Sequence, residues 1–264
     1  MGVLALKLVL APAFVVGASL IARRFGSRVG GLVGGLPVVG GPILFVLAIV
    51  HDEAFAQRAA NASLLGLISL SGYVMAYALL VRRARWPVAV AAAWTAFLAG
   101  TALFALMLSA VQVPPTVALT LAFASFWVGK RVVPRPRDAP AAAPAPPAWD
   151  LPVRALCAAA MVLAISAASS GLGPRVSGLL APSPIITTIL AAFTHAQLGP
   201  DATLRLLRGM LTGFFSFALF CWTIALALPH TTTGVTFWGA SMVAVLTQVA
   251  IARGESIGSR TYSA

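Results

Sequence analysis

Nine stretches of this chain are long and apolar enough to cross a lipid bilayer, and nothing else in the sequence limits the fold so tightly. A crossing helix needs about 20 apolar residues to span a hydrocarbon layer about 30 Å thick. The windows are 3–21, 29–50, 59–81, 88–111, 115–133, 152–171, 176–198, 206–228 and 233–252. The fifth is the weakest, because Lys130 and Arg131 stand near its end, where long basic side chains can reach the interface. The chain is 60% hydrophobic and 9% charged, with a mean hydropathy of +0.96. A soluble domain carries about 25% charged residues, so this chain lacks the polar surface to face water all round. The expected fold is all-α: a polytopic transmembrane helix bundle of about nine spans. In the first window "APA" at 11–13 resembles a signal-peptide cleavage site, but Lys7 interrupts the apolar core and the run continues to Ile21. A retained helix fits better.

Charge gives these spans an orientation. Alternating sides along nine spans, one side receives Lys7, Arg58 and Arg175, and the other receives the remaining fifteen of the eighteen Lys and Arg residues. By the positive-inside rule the rich side is cytoplasmic. The N-terminus is then expected outside and the C-terminus inside, in a bacterial inner (plasma) membrane, a source suggested by 16 Arg against 2 Lys. The net charge of +12 reads as topology and as attraction to anionic headgroups of the lipid bilayer. No nucleic-acid motif accompanies it.

Residues 134–150, "PRPRDAPAAAPAPPAWD", are rich in Pro and Ala and read as a cytoplasmic linker. They divide a first membrane unit of five spans, 1–133, from a second of four, 151–264. The two units repeat. With a shift of 147, "GSRVGGLVGGLP" at 26–37 lies on "GPRVSGLLAPSP" at 173–184, and Gly26, Arg28, Val29, Gly31, Leu32 and Pro37 meet identical residues. Without a gap, Arg58, Leu64 and Gly66 then meet Arg205, Leu211 and Gly213. An odd number of spans separates the copies, so the repeats are expected to have inverted topology. Inverted repeats with matched Gly/Pro-interrupted helices point to a transporter site.

Pro37 and Pro184 both fall near the middle of their spans. Proline inside a helix removes a donor and clashes with the preceding turn, at about 3 kcal/mol. In "APSP" at 181–184, Ser183 precedes a proline and is expected to cap a new half-helix whose first residue is Pro184. The glycines at 30, 31, 34, 35, 40 and 41 permit a break; they also permit close helix packing, and both readings stand. Each broken helix would turn a positive N-terminal end, near Val38 and Ile185, towards the midplane, which favours an anionic or carbonyl-rich group. The expected substrate site is Gly34, Gly35, Pro37, Gly40 and Gly41 on one side and Pro182, Ser183, Pro184, Thr187 and Thr188 on the other. Arg28 and Arg175 would guard the two entrances.

Other chemistry is thin. His51, Asp52 and Glu53 read as a solvated loop, His195 as an interfacial histidine, and Gln248 as a cavity-lining or helix-bonding group. No acid lies deep in a span, which argues against a carboxylate-driven carrier. Cys157 and Cys221 sit in apolar runs as small core residues. "GESIG" at 254–258 matches a nucleophile motif by letters but lacks the strand–turn–helix context. No catalytic residue, metal site or cofactor is expected.

The segment 176–217 resembles the GlpM-like small bacterial inner-membrane proteins. Leu179, Pro182 and Pro184 carry the opening of the motif, and Arg205 and Arg208 its basic third helix. The 34–48 stretch looks like a diverged copy with Pro37 and Pro42 displaced. The resemblance implies a fused double version of a four-helix unit, with a loose link to cell-envelope polysaccharide production. Two functions follow: a transporter or flippase of a small solute or lipid-linked envelope precursor, or a non-transporting scaffold that partners envelope-synthesis proteins.

Overall fold

A computed structural model describes residues 2–38, 40–50, 52–137, 147–169, 179–180 and 182–260. The described residues form nine helices: α1 (Gly2–Phe25), α2 (Ser27–Gly34), α3 (Gly40–Val50), α4 (Glu53–Leu80), α5 (Trp86–Ala110), α6 (Pro115–Val132), α7 (Asp150–Ser169), α8 (Ile185–Ala227) and α9 (Thr233–Arg260). No strand occurs among them. His51 and Arg175 lie outside the described residues.

Local chemistry sets most of the boundaries. Asp52, expected in a solvated loop, is the N-cap of α4, and its carboxylate accepts from the Phe55 N–H. Glu53 adds negative charge to that first turn and accepts from Thr233 Oγ1 at 3.0 Å. Pro87 and Pro115 stand in the first turns of α5 and α6, where a missing N–H costs nothing. Lys130 and Arg131 close α6, with the Arg131 guanidinium 3.7 Å from the Trp127 ring centre. Asp150, the last residue assigned to the linker, opens α7 and is fully buried.

The longest element is a hairpin. At about 1.5 Å per residue, the 43 residues of α8 would be twice as long as a bilayer core is thick. The chain turns at Gly199, whose φ of 77° only glycine adopts without strain, and Pro200 begins the second arm. Contacts with α4 fix the arms' directions. Gly66, Tyr73, Tyr77 and Arg82 meet Pro182, Thr188, His195 and Asp201 in rising order. Gln57, near the start of α4, instead reaches the carbonyl of Ala225. The first arm therefore runs parallel to α4 and the second antiparallel.

Helices α4 and α8 form the core. In each, 67% of the most apolar window is buried, against 22% for α1, α5 and α9. Those outer helices expose Leu106, Trp238 and Leu246 at 70%, 71% and 61%. A surface so apolar belongs in lipid. Among the described residues, five helical stretches are long and apolar enough to cross a membrane: Leu8–Phe25, Glu53–Leu80, Trp86–Ala110, Ile185–Ala227 and Thr233–Arg253. Three of the nine windows differ visibly in the described residues. The second window is split into α2 and α3, and one helical run, α8, holds the eighth window together with the part of the seventh from Ile185 onwards. Lys130 and Arg131 at the end of α6 lower its hydropathy.

Helix boundaries carry a regularity of their own. Adding 147 to Glu53 and Leu80, the ends of α4, gives 200 and 227, the ends of the second arm of α8. Adding it to Trp86, the start of α5, gives Thr233, the start of α9.

Candidate functional site

Two interruptions of helical backbone lie beside the core. The first separates α2 from α3. Gly35 N–H closes on the Gly31 and Leu32 carbonyls at 3.0 and 3.3 Å, and Leu36 N–H on Val33 at 3.0 Å. Gly41 N–H then starts α3 by bonding the Pro37 carbonyl at 2.7 Å. The second interruption lies between the helical residues Leu179–Leu180 and α8. There Ser183 N–H bonds the Leu180 carbonyl at 3.0 Å, and Ile185 N–H bonds Ser183 at 2.8 Å. The expected cap is displaced by one residue. Pro184, not Ser183, is the N-cap of α8, with ψ 38° and no side-chain cap bond, and Ile185 is the first helical residue. Proline fixes φ but not ψ, so the ring can stand just outside the helix it introduces.

The glycines serve both readings at once. A side chain on Gly31 would strike the Leu206 backbone, and one on Gly209 the Arg28 carbonyl. A Cβ on Gly35 would lie 2.7 Å from the Gly213 Cα. Thus α2 and the second arm of α8 touch backbone to backbone, as small residues allow in lipid. Around the first break the neighbours are apolar: Met210 and Leu190 at Gly34, Phe217 at Gly40 and Phe220 at Gly41. The Gly34–Leu190 contact links the first break to the helix that follows the second.

The second break has polar neighbours. Thr188 Oγ1 donates to the Pro184 carbonyl at 2.5 Å, accepts from Trp94 Nε1 at 3.1 Å and lies 2.9 Å from the Tyr73 hydroxyl. One turn along α4, the Tyr77 hydroxyl is 3.3 Å from His195 Nδ1. Thr187 is buried beside Thr188. The expected hydrogen-bonding group Thr188 is thus fully engaged, by tyrosines and a tryptophan that sequence reasoning passed over. Their signal was present: Tyr73 and Tyr77 are four residues apart on one helix face, and a buried phenol needs a partner.

Pairs of contacts at the two breaks correspond. Gly66 faces the Leu179 carbonyl and Pro182, while Gly213 faces the Leu32 carbonyl and Gly35. Each residue in one set is 147 from its counterpart in the other. Likewise the Tyr73–Thr188 contact matches Phe220 against Gly41.

At one end of the bundle, charges are paired. Asp150 binds Arg23 at 2.5 Å, Arg154 at 2.9 Å and Gln197 at 2.5 Å. Burial would raise its carboxyl pKa, but the Gln197 and Arg154 hydrogen bonds, the Arg154 charge and the Arg23 bond outweigh that and hold it below the usual carboxylate range. Arg82 binds Asp201 at 2.5 Å, and Arg208 donates to the Lys130 and Val133 carbonyls at 3.1 and 2.7 Å. Arg28 starts α2 at this end, with its carbonyl against Gly209. Among the described residues no cluster of His, Cys, Asp and Glu could hold a metal.

Apolar outer helices around a core of broken and hairpin helices define an integral, multi-pass, α-helical membrane protein. No family model, curated protein or solved structure matches the chain.

Proposed function

We propose that this chain is a bacterial inner-membrane carrier, not an enzyme, built from two inverted repeats in nine spans. It would move a small anionic or polar solute, or a lipid-linked envelope precursor, by rocking one repeat against the other. The observation that carries this reading is the reciprocal contact at the breaks. Residue 66 of one unit meets the break of the other, and its counterpart 213 meets the break of the first. Reciprocity of this kind is the mark of a two-fold axis. The corresponding helices, α4 and the second arm of α8, are antiparallel, so such an axis lies across them, in the membrane plane. Arg23 near the end of α1 pairs with Asp150 at the start of α7, as the same axis requires. Broken helices at a repeat interface are where carriers hold their cargo, and the N-terminal ends of α3 and α8 favour an anionic group.

Purified protein in liposomes, scanned for thermal stabilisation by small carboxylates, phosphates and lipid-linked sugars, tests the reading. A carrier is stabilised by its ligand alone. A scaffold, the reading that the GlpM-like resemblance suggests, shifts only with a protein partner. The Ser183→Ala/Pro184→Ala double variant restores helical propensity across the second break. It is expected to insert normally while losing ligand stabilisation and uptake. Wild-type uptake by this variant would remove the second break from the transport site, and a wild type with neither ligand stabilisation nor uptake overturns the carrier reading.

A further inference from the structure

The two breaks are finished differently, and the difference exposes a site. Gln248 on α9 completes the first break. Its Nε2 donates to the Leu32 carbonyl at 2.9 Å, and its Oε1 lies 3.0 Å from Ser216 Oγ. One amide therefore spans the gap between a hydroxyl on the second arm of α8 and a carbonyl at the end of half-helix α2. Subtracting 147 carries Ser216 to Ser69, Gln248 to Thr101 and Leu32 to Leu179. The serine is kept and the carbonyl is kept: Leu179 faces Gly66 as Leu32 faces Gly213. The glutamine is not. Threonine is too short to reach where the amide group stands. Ser69 and Thr101 are 3% and 7% exposed, and neither hydroxyl finds a hydrogen-bond partner among the described residues. Ser69 reaches α5 beside Thr101 in the chain: its Oγ lies 3.0 Å from the place of a Cβ on Gly100. Ser69 stands one turn beyond Gly66 on α4, and the Cβ place of Gly66 faces the Leu179 carbonyl.

We infer that Ser69 Oγ, Thr101 Oγ1 and the Leu179 carbonyl are ligands of a small monovalent cation of Na⁺ size. The inference rests on the repeat reading above, because the correspondence with Gln248 defines the gap. The chemistry follows from the vacated role. The C-terminal end of a half-helix carries about half a negative charge. At the first break, at the end of α2, the amide donor of Gln248 answers it; at the second, the counterparts of those groups are the Leu179 carbonyl and the hydroxyls of Ser69 and Thr101. Unwound carbonyls and half-helix C-terminal ends are the usual holders of a coupling cation in carriers of this architecture. A divalent ion would call for carboxylates, and the acids whose side chains are described are engaged elsewhere: Asp52 at the Phe55 N–H, Glu53 at Thr233, Asp150 at Arg23 and Arg154, and Asp201 at Arg82. Bound there, the cation would tie α4 and α5 of one repeat to the broken helix of the other, and so bias which way the two face.

The test is thermal unfolding of the full chain in nanodiscs, at constant ionic strength, in NaCl, KCl or choline chloride. The wild type is expected to show a saturable rise in midpoint with Na⁺ that choline does not give. Ser69→Ala/Thr101→Val keeps side-chain size, removes two oxygens and should lose at least tenfold in Na⁺ affinity. Thr101→Gln should transplant the amide bridge: its midpoint in choline should match or exceed that of the wild type in saturating Na⁺, with no Na⁺ response. Equal midpoints in Na⁺ and choline for the wild type overturn the inference, since water alone would then fill the gap. So does a Na⁺ response that survives in both variants, which would put the cation elsewhere. Solute uptake is measured separately: uptake without a Na⁺ response sinks only the cation site, whereas a Na⁺ response without uptake sinks only the carrier.

Discussion

Gly66 and Gly213 stand where each unit presses on the other's break, so they test the packing directly. Gly66→Val and Gly213→Val would each drive a side chain into a main-chain carbonyl, Leu179 or Leu32. Overpacking of this kind costs about 1–3 kcal/mol. Both variants should lower the unfolding midpoint in detergent by similar amounts, while Gly72→Val, at a glycine with open space around it, should not. Losses confined to one of the first two would count against equivalent environments. Single residues were unevenly legible in the sequence. Gly31, Gly35 and Gly213 stand out by type, because only glycine lets backbones touch. The cluster of Tyr73, Tyr77, Trp94, Thr188 and His195 does not. In lipid the core is no more apolar than the solvent, so no amphipathic stripe marks the buried face of α4. Which faces meet is then a property of the assembled bundle.

At the scale of elements, apolar runs located the helices, because a run of about 20 such residues is a local fact. The break in the second window was legible from its glycines and Pro37, and the one at 181–184 from its prolines. The position of the cap was not, since it depends on the ψ that the surrounding helices impose on Pro184. The α8 corner is a further case: "GP" at 199–200 is a turn signal, and the structure uses it to fold two windows into a hairpin. Gly199→Ala would place a Cβ at φ 77°. It should cost about 1–3 kcal/mol, read as a lower midpoint with unchanged helix content by circular dichroism. An unchanged midpoint would mean that the corner is not strained for other residues.

The whole molecule is held at one end by the Asp150 network, which joins α1, α7 and the first arm of α8. Because the Asp150 carboxyl is held below its ordinary value, its contribution to folding is complete above the unfolded carboxylate pKa of about 4. It is lost as pH falls through the lower, folded value. The unfolding midpoint should therefore drop between pH 5 and pH 3. Asp150→Asn should be less stable at pH 7 by about 3–5 kcal/mol, because two arginines lose their counter-ion, and its midpoint should fall less over the same acid range. A parallel acid profile in wild type and variant would assign the drop to other groups.

A carrier of this design requires the two units to face opposite ways in the membrane. Thr232, between α8 and α9, and Ala148, just before α7, are both exposed, and an odd number of proposed spans separates them. Single cysteines placed there, with Cys157 and Cys221 replaced, can be offered to an impermeant thiol reagent in intact cells. Thr232→Cys should label at once, and Ala148→Cys only after the membrane is permeabilised. Labelling of both in intact cells, or of Ala148→Cys alone, would contradict the inverted repeats and the carrier built on them.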